Sequence, residues 1–392
     1  MQTKSKADWR ILWVVVLLLI IGVVMVYSAS WPTAIQESKD QFYYGKRQLI
    51  FASIGLGLAL FVSLFDYHLY QRFAVILYGL SLLVGLLVFS PIGTNQDTFA
   101  YRWIRLGPLE FMPSDLIKIG GVIMISKLLC MKDKVKNHFT KGFLPVVGLI
   151  LLTVTPVLLQ PDFSTSIVIA AAMGCVYFFS GMDGRYFLLA LPLGGVAGVL
   201  LLSGEKNAYR LERIRSFLNP LEDYLDTGWQ LSQALFAVSS GGLLGLGIGQ
   251  GRQKIHYLSQ AHNDFIFAVI AEELGFVGSV FVIGLYMLLI FRGLEIAVNA
   301  ADKFGTYLAS GITVLIGAQS LINIGVSFGA IPPTGVTLPF LSYGGTSILI
   351  TMGMIGILLN ISKMSRRRGE DHEGNRERRR DRRTYLPGDR NH

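Results

Sequence analysis

Charge is scarce in this sequence. Only 16% of its 392 residues are Asp, Glu, Lys or Arg, whereas soluble domains carry about 25%. A chain so poor in charge does not suit a soluble globular domain. Cysteine is nearly absent as well. Cys130 and Cys175 both lie in apolar runs, which leaves no disulfide framework and no metal spacing. There is no phosphate loop. The Gly-rich stretch 241–251 lacks the Gly-Lys-Ser/Thr ending and a preceding strand, so nucleotide binding and ATP hydrolysis are set aside. The first apolar run, Ile11 to Ala29, is long for a signal-peptide core and lacks a small-x-small cleavage site. It is read as a retained span. No internal repeat stands out.

What the sequence has in quantity is hydrocarbon. Hydrophobic residues make up 52%, and the mean hydropathy is +0.50. A membrane helix needs ~20 apolar residues to cross a ~30 Å core, and many such runs are present. The fold class is therefore all-α: a polytopic, ten-span helical bundle forming one domain over 1–362. The spans are predicted near 11–30, 48–65, 72–92, 113–130, 143–160, 164–181, 186–203, 264–291, 306–328 and 342–362. An even number places both termini on one side. With the N-terminus inside, twelve Lys and Arg fall in inner segments and span ends before the tail, against five in the short outer loops. That excess predicts a multi-pass protein of the bacterial cell membrane with both termini cytoplasmic. The long segment 204–263, between spans seven and eight, is then extracellular. It is rich in Leu and aromatics, which predicts short helices on the outer surface. The tail 363–392 holds eleven Lys and Arg against six Asp and Glu and few apolar residues, so disorder is expected. Its basic cluster Arg366–Arg368 suits anionic lipid better than nucleic acid.

Three places break the apolar pattern, and each offers chemistry. The stretch 260–275 passes from the polar segment into an apolar run, which places Asp264 where water gives way to hydrocarbon. An acid there is either a helix cap or a partly desolvated general base. His262 is close enough to tune it. Of Glu272 and Glu273, about two turns further on, one is expected to face the bundle interior. In the second place, 101–118, Arg102 and Arg105 precede span four, and Asp115 and Lys118 share one helix face within it. With Arg210, Arg213 and Arg215 in the long loop, the arginines form two outer basic clusters. They read either as an anion site for phosphate or pyrophosphate or as interfacial side chains reaching for water. In the third place, 329–347, three prolines and repeated glycines forbid a straight helix. Irregular backbone at that depth must be buried or line a cavity.

The motifs in these places are Leu338-Pro-Phe-Leu-Ser-Tyr-Gly-Gly-Thr-Ser347, Ala261-His-Asn-Asp-Phe-Ile-Phe267 with Glu272-Glu-Leu-Gly275, and Trp103-Ile-Arg-Leu-Gly-Pro108 with Pro113-Ser-Asp-Leu-Ile-Lys118. In them the chain resembles the SEDS family of shape, elongation, division and sporulation proteins, over residues 11–362. Val24–Ser30 and Thr334–Thr337 look more like its division and sporulation branch (FtsW, SpoVE) than its elongation branch (RodA). The resemblance implies an inverting peptidoglycan glycosyltransferase that polymerises lipid II, a disaccharide-pentapeptide on undecaprenyl pyrophosphate, during septal or spore wall synthesis. It implies a class B penicillin-binding protein and other divisome proteins as partners. The family's proposed catalytic Asp falls on Asp264, and its intramembrane acid–base pair on Asp115 and Lys118. The substrate-contacting set then comprises Arg102, Arg105, Asp115, Lys118, Arg210, Arg213, Arg215, His262 and Ser342. A divalent cation, Mg²⁺ or Mn²⁺, is the cofactor such a reaction would call on beside the arginines. A lipid II flippase or transporter is the alternative that intramembrane charges support, and a scaffold that only recruits a transpeptidase is a third.

Overall fold

The structure is a computed structural model. It describes residues 7–91, 93–94, 102–106, 109–132, 137–186, 216–218, 220, 228–255, 258 and 260–384.

Helices dominate, because in hydrocarbon each backbone N–H and C=O must be satisfied within its own segment. They are α1 (Trp9–Ser38), α2 (Tyr43–Val62), α3 (His68–Leu86), α4 (Ser114–Met131), α5 (Leu144–Leu159), α6 (Phe163–Phe179), α7 (Trp229–Ser240), α8 (Ile266–Val298), α9 (Lys303–Ser327) and α10 (Gly345–Thr384). All but α7 coincide with predicted spans. The seventh predicted span falls, beyond Tyr186, outside the described residues. Among the described residues, seven helices are long and apolar enough to cross a membrane. The other two on predicted spans are α4, which carries Asp115, Lys118 and Lys127, and α6, which is only 17 residues long. Three aspartates start helices as their sequence positions suggest. Asp8 accepts from Arg10 N, Asp162 from Thr165 N and Asp302 from Gly305 N.

Contacts between loops sort the helix ends into two faces. Asp8 N donates to Ser362 Oγ at 3.0 Å, so the first span begins where the last one ends. Tyr67 N donates to Asn360 Oδ1 on the same face. There His68 bridges Asp66 (2.6 Å) and Asp302 (2.7 Å). On the other face Gln48 Nε2 donates to Ser342 O, and Tyr44 packs against His262 and Tyr343. That second face carries Asp264. Most of the core lies between α1, α8, α9 and α10, with a smaller cluster among α3, α4, α5 and α6.

The all-α expectation needs one addition. Between α3 and α4 lies a small antiparallel sheet, β1 (Gly93–Thr94), β2 (Trp103–Leu106) and β3 (Leu109–Phe111). Its register pairs Leu106 with Leu109, Arg105 with Glu110 and Ile104 with Phe111. The strands are too short to stand out beside twenty-residue apolar runs. Their apolar–polar alternation, Ile104-Arg105-Leu106 and Leu109-Glu110-Phe111, is nevertheless that of a half-buried hairpin.

The segment after α7 departs further from the sequence reading. Surface helices were expected, and α7 is instead packed onto α8 and α9 with Leu231, Ala234 and Ala237 buried. The Gly-rich stretch then lies against a break in α8 and completes its hydrogen bonding. At Gly275 the helix has φ 66° and ψ −163°, a region that is essentially glycine-only. The hydrogen bonds lost there are remade with the loop. Leu246 N and Gly247 N donate to Glu272 O and Glu273 O, and Phe276 N and Val277 N donate to Gly242 O and Leu243 O. A Cβ at Gly275 would stand 2.3 Å from Gly245 N, and one at Gly245 would stand 2.1 Å from Glu273 O. Gly275→Ala is therefore expected to lower stability by about 1–3 kcal/mol from the dihedral alone. Thermal unfolding in detergent micelles measures it, and an unchanged midpoint would show that the break is not held by this contact.

The last helix also outruns its predicted end. Its backbone stays helical to Thr384, through the basic segment expected to be disordered. Arg and Glu are good helix formers, so a composition that builds no core still permits a helical backbone.

Candidate active site

The irregular segment 329–344 occupies the heart of the Asp264 face. Several of its carbonyls are satisfied by side chains, as depth requires. Asn323 Nδ2, on α9, donates both to Val336 O and to Asp264 O, each at 2.8 Å. Tyr286 OH, on α8, donates to Pro339 O. Ser342 Oγ accepts from Leu338 N (2.8 Å) and donates to Asn263 O (2.6 Å). These bonds fix the chain on both sides of Asp264 against residues 336–342.

Asp264 stands in the turn before α8, half-buried. The helix cap is Phe265, and no side chain caps it. Across from Asp264 is Arg102, at the entry to β2. Arg102 Nη2 donates to Pro161 O at 2.5 Å, and its buried Nε has no partner. Its Nη1 lies 3.4 Å, and Asp264 Oδ2 3.8 Å, from where a Cβ on Gly335 would be. Guanidinium and carboxylate thus both come within contact distance of the same point beside Gly335.

Gly335 also lines a small, partly open cleft. Its walls include Trp103, Asp115, Lys118, Thr165, Tyr343 and Ser347. Lys118 Nζ donates to Asp115 Oδ1 at 2.7 Å, with both side chains 7% exposed. The short Asp115 side chain therefore reaches its partner, one turn away on the same face of α4. The pocket holds a buried cation, Lys118, and through Gly335 it adjoins a second cation, Arg102, held by a backbone carbonyl, and the carboxylate of Asp264. That set suits an anion, with a base beside it.

Matched against family models, residues 9–367 fit the one described as cell cycle protein, which groups FtsW, RodA and SpoVE. The chain belongs to this family. It is 38% identical to stage V sporulation protein E of Bacillus subtilis (strain 168) over 365 residues, covering 93% of this chain and 99% of that protein. It is 40% identical to the probable peptidoglycan glycosyltransferase FtsW of Trichlorobacter lovleyi over 358 residues, 91% of this chain and 93% of the relative. Among solved structures it superposes on a chain from work on structural coordination of polymerization and crosslinking by a peptidoglycan synthase complex. There the TM-score is 0.76 at 28% identity, over 92% of this chain and 98% of that one. The rod shape determining protein RodA of Thermus thermophilus gives 0.66 at 28% identity, over 91% and 96%.

Within this FtsW/RodA/SpoVE framework the expected residues separate. Asp264, Arg102, Asp115 and Lys118 come together around Gly335 and the cleft. Arg105 does not join them: it is exposed and pairs with Glu110 across the hairpin at 2.5 Å. Arg210, Arg213 and Arg215 lie outside the described residues. Ser342 is 3% exposed, with its hydroxyl engaged by backbone on both sides, so it braces the loop. His262 is enclosed by the rings of Tyr44 and Tyr343, and burial holds its imidazole down at about 4. It is neutral near pH 7 and supplies no positive charge. Among the described residues no three His, Cys, Asp or Glu side chains are grouped to hold a metal ion. In the cleft Asp115 is taken by Lys118. The described residues thus offer no ready-made cage for Mg²⁺ or Mn²⁺, and no chemical step is assigned to one.

Two features escaped the sequence reading. Asn323 lay in an apolar run, although an amide side chain in a membrane helix is itself a sign of an interhelical bond. Glu272 and Glu273 were expected to divide, one inward. Both are buried, at 0% and 1% exposure, because the Gly-rich loop closes over the outer side of the broken helix.

Proposed function

We propose that this protein polymerises lipid II, with Asp264 as the general base that takes the proton from the attacking sugar hydroxyl. The activity class rests on the family and on relatives named as peptidoglycan glycosyltransferases. The residue assignment rests on one observation: Asp264 and Arg102 both approach Gly335, which lines the pocket that holds Lys118. Extending a glycan requires a hydroxyl to attack an anomeric carbon that carries pyrophosphate. The C–O bond to pyrophosphate breaks as the new glycosidic bond forms, the hydroxyl proton goes to the base, and negative charge collects on the leaving group. Arg102 and Lys118 are placed to take up that charge. Direct displacement inverts the anomeric centre. The undecaprenyl chain of the substrate lies in the bilayer, so the cleft must open toward lipid. A divalent cation, where one takes part, would enter with the pyrophosphate oxygens that ligate it. A class B penicillin-binding protein is the partner that would cross-link the strands, and the Asp264 face is the extracytoplasmic one, with both termini in the cytoplasm.

The test is a lipid II assay on the purified protein together with a class B penicillin-binding protein whose transpeptidase is blocked. Glycan strands are the expected product. Transbilayer movement of lipid II in liposomes without strand synthesis would establish the flippase alternative instead.

A further inference from the structure

Beneath Asp264 lies a second buried ionic cluster that takes no part in the chemistry above. Lys254 Nζ and Glu273 Oε1 are 2.5 Å apart, and both side chains are 0% exposed. Ser28 of α1 donates to Glu273 Oε2 at 2.6 Å and accepts from Lys254 Nζ at 2.9 Å. Gly249 N donates to Glu273 Oε2 at 3.0 Å. Next to it, Glu272 Oε1 accepts from Arg252 N and Gln253 N at 2.7 and 3.2 Å. The charges, the hydroxyl and three backbone amides thus bind the loop 249–254 to α1 and to the last turn before the Gly275 break.

The cluster's position in the chain gives it a purpose. The stretch between Lys254 and Glu273 contains Asp264 and the half-helix that follows it. Gly275 interrupts α8 between that half-helix and the rest, so the half-helix is oriented by its own bonds and packing as well as by the membrane-spanning part. The Lys254–Glu273 bridge closes the stretch into a ring, fastened at its base, with Asp264 on the far side. A buried ion pair is an expensive way to gain stability, since apolar residues of similar size usually serve as well or better. It does specify one geometry, because both charges must meet and all remaining acceptors must be filled.

We infer that Lys254 and Glu273 are positioning residues: their ion pair, locked by Ser28, sets the placement of Asp264 against Arg102 and the cleft. The kinetic part of this inference rests on the glycosyltransferase reading. The structural part does not.

The decisive variant is the double substitution Lys254→Met with Glu273→Leu, which removes both charges of the pair and leaves Glu272 on the amides of Arg252 and Gln253; either change alone strands the other partner's charge and risks unfolding. Three measurements are made on wild type and double variant: thermal unfolding, amide hydrogen exchange over 258–266, and steady-state lipid II polymerisation. The expected result is an unchanged or raised melting temperature, at least tenfold faster exchange over 258–266, and kcat reduced about 10–100-fold with little change in KM. A misplacement near 1 Å is enough for a loss of that size. A purely structural role predicts that activity falls only as far as the folded fraction does. Unchanged exchange in a folded double variant overturns the inference, whatever the kinetics. Faster exchange in a preparation whose wild type makes no glycan strands leaves the clasp standing and removes the glycosyltransferase reading.

Discussion

Asp264→Asn is expected to lower the rate of glycan polymerisation by about 10²–10⁴-fold, the range that a positioned general base contributes. The substitution is nearly isosteric. The main-chain carbonyl that receives Asn323 Nδ2 is untouched, and the helix begins at a cap, Phe265, that uses no side chain. The protein should therefore fold, and it should still bind lipid II. What goes is the group that accepts the hydroxyl proton. An amide cannot take that proton, so the loss falls on kcat, with KM close to wild type. Single-turnover measurement of strand elongation at saturating lipid II checks this. Wild-type elongation by the folded variant would end the assignment of Asp264 as base. A large rise in KM with kcat kept would make it a substrate-holding group.

Lys118→Met should do more general damage. It leaves Asp115 as an uncompensated charge at 7% exposure, and breaking a buried pair in this way costs about 3–5 kcal/mol. A loss on that scale is a large part of a typical protein's total stability, so the variant should be recovered in low yield with a depressed melting temperature. Asp115→Asn together with Lys118→Met removes both charges and should recover most of that stability. It should not recover synthesis if, as proposed, Lys118 is the cation that faces the leaving pyrophosphate. Parallel melting curves and lipid II assays on the single and double variants separate the two roles. If the double variant polymerises at the wild-type rate, Lys118 is a structural charge alone.

Much of this could be read from the sequence, and the reasons are physical. A hydrocarbon solvent imposes length and composition on each span, so the helices around the core stood out as apolar runs. Asp264 announced itself by standing where such a run begins. Asp115 and Lys118 were legible as a pair because three residues on a helix bring side chains to one face. The prolines in 329–347 marked a break that the structure fills with side-chain hydrogen bonds. Other features were not legible. Gly241–Gly251 looks like a surface loop in composition, and nothing local reveals that its backbone completes another helix's hydrogen bonding. Lys254 could not be paired with Glu273, since the two meet only through the Gly275 break. The hairpin at β2 and β3 was hidden by its shortness. Arg102 and Arg105, neighbours in sequence, were read as one cluster, yet one is held by Pro161 and the other by Glu110.

The broken α8 has a mechanical consequence. Beyond Gly275, Phe276–Val298 is long enough, at about 1.5 Å per residue, to cross the bilayer unaided, and a helix of that kind leans as membrane thickness changes. An unbroken rod would swing its outer end with every such change. Here the bend is absorbed at a glycine, and the outer half-helix is moored to α1 and the loop. The carboxylate proposed as the base is in this way insulated from the lipid composition around it, and keeps its aim while the anchoring rod tilts.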